Sequence, residues 1–204
     1  GGRFSGAFIT HIKKDVKVSD ENYGEPSWCT KEIGIDSIEK KYIDFDAIRK
    51  DAETDARERY RNIARLFKNG EIPKVDMTWA KVCELFKDKT LDEKRNIYNA
   101  QTAVIEWNKA KEKDRNSPSP VLGGFFVSID NYQMSEEEYV KKAGDESFVP
   151  FAVVKDGEWQ ERGEMGWWAM VANEKEPTEW NEIVRKLLDE TDDDEMITFV
   201  DCHI

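Results

Sequence analysis

Two stretches of this chain set reactive side chains close together. In the run MITFVDCHI, Asp201 and His203 stand two apart with Cys202 between them. Residues two apart on an extended strand share a face, so a carboxylate and an imidazole would lie side by side while Cys202 faces the other way. Such a pair offers two metal ligands, or a base and its orienting partner; the competing reading is an ordinary polar strand end. His11 is the only other histidine, so a metal site would need carboxylates or cysteine to complete it.

The second stretch is Arg162-Gly-Glu-Met-Gly166, followed by Trp167 and Trp168. Gly163 and Gly166 bracket Glu164 and permit unusual backbone angles or the close approach of another group. Adjacent tryptophans on a strand point to opposite faces, one to a core and one to a helix, a partner or a ligand. A stacking platform for a base and packing beneath a following helix are the two uses open to the second ring. Arg162, together with Arg3 in the glycine-rich GGRFSG, supplies positive charge for a small anion.

Familiar catalytic signatures are missing. The chain has no nucleophile elbow, Walker loop, dinucleotide fingerprint or H-E-x-x-H motif. Cys29, Cys83 and Cys202 are widely spaced with no C-x-x-C pair, which points to a reducing cytoplasm and to neither a zinc knuckle nor a redox pair. The acidic run Asp189-Glu190 and Asp192 to Glu195 matches no calcium-loop spacing and reads as a solvated turn. No cofactor is implied.

Charge narrows the partners. With 43 acidic against 31 basic residues the net charge is −12, and no Lys/Arg block stands clear of neighbouring acids. That field repels phosphate backbones and attracts basic proteins, so nucleic acid is not an expected partner. No apolar run approaches the length of a membrane span. A hydrophobic fraction of 39% in 204 residues suffices for a folded core. Oligomeric state leaves no mark in the sequence.

The elements that must position these residues follow from periodicity. Phe45, Ile48, Ala52, Ala56, Tyr60, Ile63 and Phe67 step by three and four, which predicts a helix capped by Asp44 and stopped at Asn69-Gly70. A shorter helix starts after Thr78 and buries Trp79, Val82, Cys83 and Phe86; a third runs from the capping box Thr90-x-x-Glu93 to about Lys113. These form a helical layer at about 44–113. The segment 114–124, DRNSPSPVLGG, reads as a linker. Beyond it come a strand at 125–129, a helix opened by the box Ser135-x-x-Glu138, and a hairpin turning at Asp156-Gly157. A helix from Pro177 to Glu190 and a final strand from Met196 follow, the latter apolar on both faces up to Val200, as in a central sheet strand. Residues 11–41 read as a long loop with a short strand near 33–38, and Phe4 to Thr10 as a strand beginning so near the start that sequence upstream is expected. The expected fold is a single α+β domain, with an antiparallel or mixed sheet of about five strands and the helical layer inserted.

GGRFSG, the helix from Asp44 to Phe67, VSIDNYQMSEEEYV, FAVVKDGEWQERGEMGWWAMV and FVDCHI together resemble a family of uncharacterised proteins encoded by tailed bacteriophages. In that family the glycine-arginine-aromatic motif is preceded by a further N-terminal region. The resemblance implies a phage protein in the cytoplasm of an infected bacterium and transfers no catalytic residue. Three functions are expected to compete. One is a non-enzymatic binder of a small anionic ligand or nucleotide through Arg3, Arg162, Trp167 or Trp168. The second is an acidic protein that binds a host protein. The third is a hydrolase or transferase using Asp201, His203 and Glu164. The few groups with catalytic potential form no recognisable constellation, so the binding classes are favoured.

Overall fold

Helix α1 (Phe45–Ala64) forms where the three-four spacing of apolar residues predicts it, in a computed structural model that describes residues 11–13, 37–123, 127–166 and 170–200. Asp44 Oδ1 accepts a hydrogen bond from the Ala47 amide at 2.9 Å, satisfying one free donor of the first turn. After its end the chain turns through Asn69 and Gly70, at φ 72° and 70°, the left-handed geometry that stops helices.

The chain divides into two compact units, Gly1–Asp51 with Gly144–Ile204, and Ala52–Ala143. The second is helical. Thr78 caps α2 (Trp79–Leu85), and the box predicted at Thr90 and Glu93 closes reciprocally over α3 (Leu91–Asn99). The helix expected to run on to Lys113 breaks at Ala100-Gln101. Gln101 is extended (φ −67°, ψ 136°), and its buried amide bonds both backbone groups of Met77, from N at 2.8 Å and to O at 2.9 Å. A contact 24 residues away thus outweighs local helix propensity, and α4 (Thr102–Asp114) starts anew.

The core of this unit joins Ile63, Val104, Trp107, Leu122, Ile129 and Tyr132. Leu122, within the segment expected as a linker, is fully buried and its amide donates to Asp114 Oδ2 at 2.7 Å. The strand expected at 125–129 is not formed over its described part. Val127 and Ser128 are irregular, and Ile129–Tyr132 is a 3-10 turn. The reason is Asp130, whose carboxylate accepts from the Trp79 amide (2.7 Å) and the Tyr98 hydroxyl (2.8 Å), tying the segment to α2 and α3 instead of to a ladder. The Ser135–Glu138 box then opens α5 (Glu136–Glu146), as expected.

The other unit carries the strands. β1 (Ser37–Glu39) pairs antiparallel with β6 (Met196–Thr198), β2 (Ala152–Lys155) with β3 (Glu158–Glu161), and β4 (Glu164–Met165) with β5 (Val171–Ala172). The fold is α+β, but the described strands form three two-stranded sheets and not one sheet of about five. Among the described strands, the apolar run from Met196 does not lie at a sheet centre. There β6 pairs with β1 alone, and Met196 and Val200, on one face of the run, are 57% and 72% exposed, while Ile197 and Phe199 on the other face pack against the core. Asp156 and Gly157 take φ 53° and 81°, the type I′ turn predicted for this hairpin. α6 (Pro177–Asp189) has Pro at its first turn and buries Trp180, whose Nε1 donates to Pro150 O at 2.8 Å. Ile38 and Ile43 centre this unit's core, where Phe148 meets Phe45 and Phe199 edge-on at 4.8 and 5.0 Å.

Candidate functional site

The local chemistry around Glu164 is set by Gly163. A Cβ there would lie 2.6 Å from Val171 Cγ1 and 2.9 Å from Glu174 Cα, so the glycine lets β4 and the chain after β5 approach closely. Gly166 serves the same approach, its amide donating to Met170 O at 2.7 Å. Both glycines act through close contact; neither has positive φ. Glu164 is exposed and accepts from Asn173 Nδ2 at 3.0 Å. Arg162 Nε stands 2.7 Å from Glu174 Oε1 but off the N–H direction, an ion pair without a hydrogen bond. Its charge is therefore matched by this chain's own acid. Arg3, Trp167, Trp168, Asp201 and His203 lie outside the described residues. Of the described pair, Arg162 and Glu164, only Glu164 borders the cleft described next.

That cleft, of about 980 Å³, lies within the strand-bearing unit. β2 lines it with Ala152 to Lys155 and β6 with Met196 to Thr198, while α6 contributes Val184, Leu187 and Leu188. The α6 residues sit three and four apart, which puts them on one stripe of the helix. The lining is mainly apolar and much of it is exposed: Val154 60%, Trp159 57%, Met165 41%, Met196 57% and Val200 72%. Solvent-exposed apolar side chains gathered in one concavity mark an interaction site, whereas isolated ones are ordinary.

Carboxylates edge the cleft at Asp156, Glu161, Glu164 and Glu195. Its one lysine is already engaged, since Lys155 Nζ donates to Glu190 O at 3.3 Å and lies 3.7 Å from Glu195 Oε2. Part of the acidic run at 189–195 is likewise used internally. The Lys40 and Lys41 amides donate to the carbonyls of Glu195 and Asp193 at 2.9 and 3.0 Å, and Lys41 pairs with Asp194 and Glu39. These partners hold the Lys41 ammonium above its usual range, the Asp194 bond first. The run is a braced turn, and among the described residues no group of three His, Cys, Asp or Glu is placed to hold a metal ion. No described helix is long and apolar enough to cross a membrane.

No family model matches the chain, and no curated protein or solved structure matches it.

Sequence reasoning missed the cleft. Its residues come from a hairpin, a helix and a strand spread along the chain from Phe148 to Val200. The available signal was the two-faced apolar character of Met196 to Val200, which fits an uncovered wall as well as a central strand. Covering the five exposed side chains would contribute about 1 kcal/mol each, as they are already roughly half covered.

Proposed function

We propose that this is a non-enzymatic binding protein whose partner is another protein, and that the partner inserts an apolar segment flanked by basic residues into the cleft. The observation that carries the reading is the set of exposed apolar side chains within one concavity, with four carboxylates around it. Water leaving those side chains supplies the affinity, and the acidic rim selects Lys and Arg and speeds encounter. A net charge of −12 acts in the same direction at longer range.

A small anionic ligand fits the cleft less well, because its rim is acidic, Lys155 is paired and Arg162 is matched by Glu174. Glu164, the described carboxylate of a hydrolase reading, is exposed and bonded to Asn173. The resemblance to tailed-phage proteins supports a partner belonging to the bacterial host, met in its cytoplasm.

Capture from bacterial lysate at low and high salt tests this. We expect a defined partner of basic character retained at low salt and weakened at high salt. Recovery of no specific protein, or of one indifferent to salt, would overturn the reading.

A further inference from the structure

We propose that the partner segment enters the cleft as an extended strand between β2 and β6, joining two separate sheets into one of order β3-β2-partner-β6-β1. The inference rests on the binding reading above and adds to it the conformation and edge chemistry of the occupant.

The sheet registers identify the groups that would receive it. In the β2–β3 hairpin Lys155 faces Glu158 across a two-residue turn, and the Arg162 amide donates to Phe151 O at 2.8 Å. The ladder bonds therefore fall at residues 151, 153 and 155. Ala152 and Val154 turn their N–H and C=O groups away from β3. In the other sheet the Lys40 amide donates to Glu195 O at 2.9 Å, and Lys40 and Glu195 continue the register Glu39↔Met196, Ile38↔Ile197. The bonded positions there are 195 and 197, so Met196 and Thr198 turn their backbone groups away from β1. Among the described strands, β2 pairs with β3 alone and β6 with β1 alone.

Both outward edges border the same cleft, and they do so along consecutive residues, the pattern of a strand edge and not of one face. Lys155 bridges one end of the gap to Glu195 at 3.7 Å; a strand filling the rest would sit about 4.8 Å from each edge. Two-stranded sheets of three or four residues are marginal alone, and an added strand would satisfy both edges at once. Backbone bonds give such an occupant affinity, and its alternate side chains give specificity. The apolar wall calls for aliphatic residues at every second position and the carboxylate rim for Lys or Arg between them.

The test uses the full chain, ¹⁵N-labelled, and a capped eight-residue peptide alternating Val and Lys. Its controls are the same peptide with Glu for Lys and a Leu/Lys peptide with helical spacing. In the free chain the amides of Val153, Lys155 and Ile197 should exchange slowly and those of Ala152, Val154, Met196 and Thr198 fast. The Val/Lys peptide should slow these four at least tenfold, and the Glu version should not. Binding of the helical peptide with the four amides unchanged would overturn the strand mode and leave the partner reading standing. Binding of neither Lys peptide would overturn both. Four slow amides in the free chain would show that this protein fills the slot itself and would also overturn the proposal.

Discussion

Gly163 shows how a single atom constrains the strand-bearing unit. Gly163→Ala places a methyl against the Glu174 backbone at 2.9 Å, where no rotamer change can relieve it. Chemical denaturation should show a loss of about 1–3 kcal/mol. The sequence marks this glycine as permitting odd angles or close approach; the structure uses the second, which depends on residues eight to eleven positions on and so has no local signature. Tyr98 offers a pH-dependent counterpart in the helical unit. Burial and then its bond to Asp130 push its hydroxyl up to about 12 from an ordinary 10. A folded-state value above the unfolded one means that this contribution is complete below pH 10 and is lost as pH rises towards and through 12. Tyr98→Phe should cost about 1 kcal/mol at neutral pH and flatten the decline in stability between pH 10 and 12, as followed by circular dichroism.

Helices were legible where short-range rules act alone. Asp44, Thr78, the Thr90 and Ser135 boxes and Pro177 all start helices within a turn of where the sequence sets them. The boxes also lower two acidities. The Thr90 amide and hydroxyl hold Glu93 below its usual range, and those of Ser135 do the same for Glu138. Depressed carboxyl values mean that the caps stabilise above the ordinary glutamate range and are lost as pH falls through the folded values. In an NMR titration Thr90→Ala and Ser135→Ala should each return their own glutamate towards the ordinary midpoint and leave the other unchanged. The break before α4 was not legible, since Gln101 is an ordinary helix former until it meets Met77. Strands fared worse for a related reason. Apolar character on both faces identifies β6 as a strand, but its number of neighbours is a tertiary outcome.

At the scale of the molecule, charge and cleft together support the proposed partner. An acidic protein with an apolar, carboxylate-edged cleft should bind a basic segment quickly, with an association rate that falls as salt rises and a dissociation rate that changes much less. Stopped-flow measurements on the captured partner check that split. The central claim is that the cleft forms the contact, and paired binding isotherms on wild type and Val154→Glu/Met196→Glu address it most directly. Both positions are more than half exposed, so the variant should melt within a few degrees of wild type. The expected result is at least a hundredfold weaker binding of the captured partner by the variant at an unchanged fold; equal affinity for both proteins would contradict the account.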